Sequence, residues 1–280
     1  MKSITLIRVV VYLMTTFFYS PNNADFFCSY IEKECPVEEE NQLKFKIMAY
    51  NIHHANPPSK PNTIDIGAIV KTIESQDPDI VALQEIDVNT SRSGEGNQAE
   101  MIAEKLGMNV FFGKAIDYDG GEYGVAVLSK YPISEQRVHS LPSAQETNGE
   151  PRVLATVKIA LPNGTYLRFG STHLDAQRAD TNRLLQMEEI INIASEENLP
   201  MIVAGDFNAP PYTEIINILD KHFTRTCTNC EPTIPVNNPI KAIDFIAFKP
   251  KEIFSIDSHK VIKETYASDH LPIVTVLKIN

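Results

Sequence analysis

Short apolar runs alternate with amphipathic segments from Leu43 onward, and the spacing inside each run predicts its element. "LKFKIMAYNI" (43–52) alternates and predicts a strand. "IDIGAIVKTIE" (64–74) places Ile66, Ile69, Val70 and Ile73 on one helical face, and "SQDPD" ends it. "IVALQEID" (80–87) reads as a buried strand, and "NQAEMIAEKLG" (97–107) as a helix closed by Gly107. In the middle, "YGVAVLSKYPI" (123–133) and "RVLATVKIALPNGTYLRFGSTHL" (152–174) predict antiparallel strands, with Asn163-Gly164 suited to a tight turn. "TNRLLQMEEIINIASE" (181–196) predicts a helix with Leu184, Leu185, Ile190 and Ile191 towards a core. "PMIVAGD" (200–206) is a strand, "PYTEIINILD" (211–220) a helix, and "AIDFIAF" (242–248) and "LPIVTVLKI" (271–279) the closing strands. Helices and strands alternate at both ends around an antiparallel middle, which predicts one α/β domain with helices packed outside sheets. No internal repeat is visible. "IHHANPPSKPN" (52–62), "VNTSRSGEGN" (88–97), "DYDGGE" (117–122) and "PSAQETNGE" (142–150) read as loops that rim a pocket.

The amino terminus differs from this pattern. Lys2 and Arg8 precede an apolar run from Val9 to Tyr19, too short to span a bilayer comfortably but suited to the core of a signal peptide. Residues 1–20 are therefore read as a signal peptide, which implies a secreted, periplasmic or extracellular protein, or as an uncleaved signal anchor, which implies a membrane-anchored one. Residues 21–42 are polar and acidic without a clear period and read as a linker or surface strap, leaving 43–280 as the functional domain. The chain has four cysteines. Cys28 with Cys35 and Cys227 with Cys230 suggest two local disulfides; a four-cysteine zinc site or free thiols are the alternatives.

Of the 280 residues 43% are hydrophobic, enough for a large core without a structural metal. The net charge of −11 argues against a general nucleic-acid binder, which carries a basic face. It accords better with a site that collects divalent metal.

Polar groups recur at the ends of separate apolar strands: Asn51, Gln84 and Glu85, Thr172 and His173, Asp206 and Asn208, Asp244, and Asp269 with His270. Singly, each has an ordinary account. Asp206 and Asn208 are turn formers, Glu85 suits a solvated terminus, and His173 suits a core or rim histidine. Asp244 is harder to explain away, because an acid between Ile243 and Phe245 is costly to bury unless it is paired or metal-bound. Together the set favours a site for metal-assisted phosphoester hydrolysis. Hard carboxylate and amide oxygens suit Mg2+, Mn2+ or Ca2+, and a cation is needed to hold an anionic ester in an acidic pocket.

At these residues the sequence resembles the endonuclease/exonuclease/phosphatase superfamily, in the ordered series "YNIHH", "PDIVALQEID", "YGVAVLSKYPI", "EPRVLATV", "STHLD", "VAGDFNAPP", "AIDFIAF" and "SDHLPIV". The resemblance implies a four-layer α/β/β/α sandwich of two mixed, largely antiparallel sheets flanked by helices. It also implies roles: Glu85 as the metal-binding glutamate, with Asn51 beside metal and phosphate. Asp206 would activate water, Asn208 would hold the phosphoryl group and His173 would contact it. His270 would contact phosphate while Asp269 orients it or joins the metal, and Asp244 would support a neighbouring histidine or arginine. Arg152 would reach phosphate or support the site. Many members carry an arginine just before the hydrophobic-Asp pair; here Ala242 stands there, with Lys241 as a substitute.

Within the superfamily the motifs look most like secreted bacterial members and the carboxy-terminal domain of GPI-anchor lipid remodelling proteins. The function this implies is hydrolysis of a lipid-linked or small phosphodiester, with a membrane-lipid head group as one form of the substrate. Extracellular nuclease activity is the first alternative, disfavoured by the acidic total and the absence of tryptophan. A non-catalytic phosphate-binding module is the second. No protein partner is implied, and a monomer is expected.

Overall fold

Residues two apart on a strand share a face, so a strand between two apolar layers must be hydrophobic on both sides. The computed structural model describes residues 42–280, which form one compact unit, and shows this arrangement. The leader, most of the strap and Cys28–Cys35 lie outside the described residues.

The elements run in order as β1 (Lys44–Asn51), α1 (Ile66–Gln76), β2 (Ile80–Val88), α2 (Gln98–Leu106), β3 (Asn109–Tyr118), β4 (Gly121–Ser129), β5 (Ile133–Leu141) and β6 (Arg152–Ala160). They continue with β7 (Tyr166–His173), α3 (Thr181–Glu196), β8 (Met201–Asp206), α4 (Glu214–His222), β9 (Thr224–Arg225), β10 (Asp244–Lys249), β11 (Phe254–Val261) and β12 (Ile273–Ile279). Two six-stranded mixed sheets result, in the orders β11-β12-β1-β2-β4-β3 and β5-β6-β7-β8-β10-β9. Each has one parallel pair, β1 with β2 and β7 with β8, and each pair is bridged by a helix. The remaining neighbours in both sheets are antiparallel. The two sheets thus share one layout, a duplication that the residues themselves do not betray.

Alternation divides the core into three layers. Phe45, Ile47 and Ala49 of β1 face Ile202 and Ala204 of β8, Phe169 of β7, and Ile246 and Phe248 of β10 between the sheets. Met48, Tyr50, Val81 and Leu83 point outwards onto Ile69, Ile73 and Ile102 of α1 and α2. Met201, Val203, Phe245 and Ala247 face Met187, Ile190, Ile215 and Leu219 of α3 and α4. An aromatic row crosses the central layer: Phe248 lies edge-on to Phe254 at 5.4 Å, which is edge-on to Phe45 at 6.1 Å. Replacing the fully buried Phe248 with alanine should cost about 3–5 kcal/mol, read from the denaturant midpoint at constant slope.

Several expectations need correction. Helix α3 buries Asn182, Arg183, Gln186, Met187, Ile190 and Ala194, while Leu184, Leu185 and Ile191 are only half buried. Its first turns anchor loops rather than filling core. Arg183 Nη1 donates to the carbonyls of Asp175 and Gln177 (2.8 and 2.6 Å), and Gln186 Oε1 accepts from Asp175 N–H at 2.9 Å. "DYDGGE" is a tight β3–β4 hairpin rather than a loop, paired from Asp117–Glu122 to Tyr118–Gly121. The Asn163-Gly164 connection spans five residues, with Ala160 paired to Tyr166. The expected local disulfide between Cys227 and Cys230 is, by contrast, present.

Candidate active site

The central layer changes chemistry at one end. Continuing the inward-facing series, Phe45-Ile47-Ala49 reaches Asn51, Leu167-Phe169-Ser171 reaches His173, and Ile202-Ala204 reaches Asp206. Running the other way, Phe248-Ile246 reaches Asp244, which pairs in register with Asp206. Four polar side chains are thereby delivered to one spot by strand parity alone.

Glu85 breaks that parity. Strand β2 carries Ile80, Ala82 and Gln84 inwards, so Glu85 should face the helices. A bulge between Gln84 and Ile86, with Glu85 at φ 61°, turns it to the site instead. Asn51 Nδ2 then donates to Glu85 Oε1 at 3.0 Å and to Asp206 Oδ2 at 3.2 Å. Around Asp206 stand His173 Nε2 at 3.5 Å and His270 Nε2 at 3.7 Å, and the Asn208 N–H donates to its Oδ1 at 2.8 Å. Asn208, at φ 48°, donates its side-chain amide to the Leu174 carbonyl at 2.9 Å.

His270 is held from behind. Its Nδ1 lies 3.0 Å from Asp244 Oδ2, and Thr233 Oγ1 donates to that same oxygen. The Ser268 hydroxyl links Asn51 O (2.7 Å) to the His270 N–H (3.2 Å). Two sequence-based expectations change. The imidazole takes Asp244, which fills the supporting role expected of it, and is not oriented by Asp269, which is half buried with Oδ1 3.4 Å from Ser268 Oγ. Thr233, not Lys241, supports Asp244: Lys241 is exposed and engages Ile234 through its backbone. Thr233 carries no sequence signal, because it lies in a loop without periodicity, and Ser268 is marked only by its place in the motif before His270. Arg152 is buried, with Nη1 3.1 Å from Glu150 Oε1.

These contacts set the charges. Burial alone would push the His270 pKa down, but Asp244, by charge and hydrogen bond, with Asp206 and Asp269 adding, carries it up to about 10. Burial and the charge of Asp244 push Asp206 up to about 7, against His270 and the Asn208 and Asn51 hydrogen bonds. Burial and the Arg152 guanidinium push His173 down to about 3. Burial would raise Glu85, yet His54, His173 and Asn51 hold it well below the usual carboxylate range. The site therefore pairs a base of near-neutral pKa with a protonated imidazole. Asp244→Asn removes the charge that keeps His270 protonated. The alkaline limb of a kcat/KM–pH profile should move from near 10 towards the ordinary imidazole value of about 6.5.

The donor set fits a divalent cation at Glu85. Its carboxylate is ionised and half exposed, and His53, His54 and Glu85 present ligand atoms within 4.8 Å of one another. The second such group, Asp206, Asp244 and His270, fits less well, because a protonated imidazole has no lone pair for a metal. Beside Glu85 lies a cleft of about 110 Å³ lined by Arg92, Tyr118, Tyr123 and Glu150. Arg92 is clamped by buried Asp87 (Nε–Oδ2 2.7 Å, Nη2–Oδ1 2.8 Å) and stacks 4.5 Å over the Tyr118 ring.

A fold of two helix-flanked sheets whose seam carries carboxylates and imidazoles defines a metal-dependent phosphoesterase class. The chain belongs to the Endonuclease/Exonuclease/phosphatase family, whose model matches residues 48–270. It is similar to the "Uncharacterized protein YbhP" of Escherichia coli (strain K12), 26% identical over 84% of this chain and 97% of that protein. It is also similar to "Protein cwh43" of Schizosaccharomyces pombe, 28% identical over 48% of this chain and 13% of that one. Among solved structures, an endonuclease/exonuclease/phosphatase from Beutenbergia cavernae shares the fold, with a TM-score of 0.73 and 22% identity over 85% of this chain and 72% of that one. The chain is accordingly an enzyme of the metal-dependent phosphoesterase type, with the α/β/β/α sandwich of that family.

Proposed function

We propose that this chain hydrolyses a lipid-linked or small phosphodiester outside the cytoplasm, by attack of water on phosphorus with Mg2+ or Mn2+ as cofactor. The observation that carries the reading is Asp206: a buried carboxylate, raised to about 7, ringed by Asn51, His173 and His270. Asp206 accepts the proton of the attacking water as the new P–O bond forms and the bond to the leaving alcohol breaks. His270, kept protonated by Asp244, and the second side-chain amide hydrogen of Asn208, whose first goes to the Leu174 carbonyl, stabilise the charge that develops on the phosphoryl oxygens. His173 and Arg152 flank the same centre. Glu85, with Asn51 beside it, would hold the cation, which when bound neutralises the ester and polarises its oxygens.

The lean towards a small or lipid head group rests on two observations. The cleft beside Glu85 is small, and its one lining cation, Arg92, is already matched by Asp87, as Arg152 nearby is by Glu150. That leaves little field for a polyanionic strand but suits a head group rich in hydroxyls, which both accept from a guanidinium and donate to a carboxylate. The partial likeness to cwh43 points the same way.

The test is a metal-supplemented substrate panel with the full chain: bis(p-nitrophenyl) phosphate, glycerophosphoinositol, sphingomyelin in mixed micelles, and supercoiled plasmid. Turnover of the small or lipid-linked esters, abolished by EDTA and restored by Mg2+ or Mn2+, is expected. Preferential plasmid nicking would replace this reading with the nuclease one. Phosphate binding without turnover on any substrate would overturn both.

A further inference from the structure

The segment after Asn51 holds three successive residues in a strained conformation. His53, His54 and Ala55 lie in succession at φ 47°, 42° and 58°, and Glu85 opposite them at φ 61°. None is glycine, and each such residue costs on the order of 1 kcal/mol or more, so the surrounding structure must impose the conformation. The impositions are visible. The His53 N–H donates to Asn51 Oδ1 at 3.1 Å, Gln98 Nε2 donates to the His54 carbonyl at 2.8 Å, and the Asp65 N–H donates to the Ala55 carbonyl at 2.7 Å.

The strain places both imidazoles against Glu85. His54 Nδ1 is buried, lies 3.9 Å from Glu85 Oε2, and makes no hydrogen bond. A buried ring nitrogen facing a carboxylate at that distance is too far for a hydrogen bond. The spacing matches two ligand atoms that share one ion, because two bonds of about 2.1 Å at an open angle put their ends roughly 3–4 Å apart. His53 Nδ1 is 2.9 Å from the Asn56 carbonyl, so it is the protonated nitrogen, and its lone pair is on Nε2. A carbonyl fixing one ring nitrogen while the other is left free is the usual arrangement behind a metal-ligating histidine.

We propose that His54 and His53 join Glu85 as protein ligands of the cation, giving a site with nitrogen as well as oxygen donors that prefers Mn2+ to Mg2+. This rests on the metal-dependent reading above and deepens it, from a hard-oxygen site to a mixed one. Imidazole adds affinity for a first-row transition ion and offers little to Mg2+, which favours oxygen ligands and retained water. A solvent-facing pair of histidines would need neither the left-handed backbone nor the three hydrogen bonds that anchor it.

Pulsed electron paramagnetic resonance of the full chain loaded with one equivalent of Mn2+ tests the assignment directly. Histidine nitrogen couplings to the bound ion are expected. A Mn2+ signal with no nitrogen coupling, or no tight Mn2+ site, overturns it. Calorimetric titration gives a second measure: His54→Gln should weaken Mn2+ binding at least tenfold and leave Mg2+ binding within about threefold. Equal losses for the two ions would also overturn it. An oxygen-only Mn2+ site in a chain that still hydrolyses phosphoesters sinks the histidine assignment alone, whereas absence of metal-dependent turnover sinks the catalytic reading itself.

Discussion

Asp206→Asn should abolish turnover while leaving the protein folded, with kcat falling by about 10²–10⁴-fold on any accepted phosphoester. The amide is nearly isosteric with the carboxylate and can still accept the Asn208 N–H, so the β8 terminus keeps its shape. What it cannot do is take a proton from water. It also removes a negative charge from the neighbourhood of Asp244, one of the two causes that raise the Asp206 pKa. An acid whose folded-state pKa lies above its unfolded value, here about 7 against about 3.9, loses stability as pH rises between the two. The wild type should therefore lose stability from about pH 4 to pH 7 relative to the variant, whose melting temperature at pH 8 should equal or exceed it. Loss of activity together with loss of fold would show that Asp206 is structural. Full activity would remove it from the mechanism.

Gly205→Ala should have the largest effect on the structure. A Cβ there would stand 1.9 Å from the Thr172 carbonyl oxygen, and Gly205 sits at φ 148°, which side chains rarely adopt. Nothing can move aside cheaply. Thr172 is paired in register with Gly205, and its hydroxyl is tied to the Val153 carbonyl at 3.0 Å. The substitution should cost about 4 kcal/mol or more, enough to unfold a marginal domain, and is measured by urea denaturation or by loss of soluble protein. It would also part His173 from Asp206, which face each other one step further along the same pairing. A soluble, active alanine variant would mean that the β7–β8 contact is looser than the geometry requires.

How much of this was legible in the residues follows from parity. Asn51, His173, Asp206 and Asp244 end apolar series of period two, so a reader of the sequence can place them on one face and at one end. Glu85 is not placed by that rule; its direction depends on a one-residue bulge that no local pattern announces. The pairing of His270 with Asp244 joins residues 26 apart through a loop, and hydrophobic spacing says nothing about which acid an imidazole meets. Strands β3 and β11 were missed for another reason. Both face solvent over much of their length, as in "FSIDSHKV", so their polar residues mask the strand period. The apolar period of α3 finds Ile190, with Leu184 and Ile191 at the core's margin, but not the buried Asn182, Arg183 and Gln186, whose burial serves hydrogen bonds. Of the loops read as a pocket rim, the one after Asn51 supplies His53 and His54 to the site itself.

The layout of the first sheet carries a consequence for how the enzyme comes into being. Strand β1 has β2 on one side, available early, but on the other side β12, whose pairing runs from Lys44↔Lys278 to Ala49↔Ile273. Among the strands of this sheet, β12 is the last to be synthesised. Until the final hairpin returns, β1 exposes an open edge and His270 has not reached Asp206. Competence is thus withheld until β12 has joined the sheet, and a chain cut short before β11 should be both inactive and prone to aggregate through that open edge.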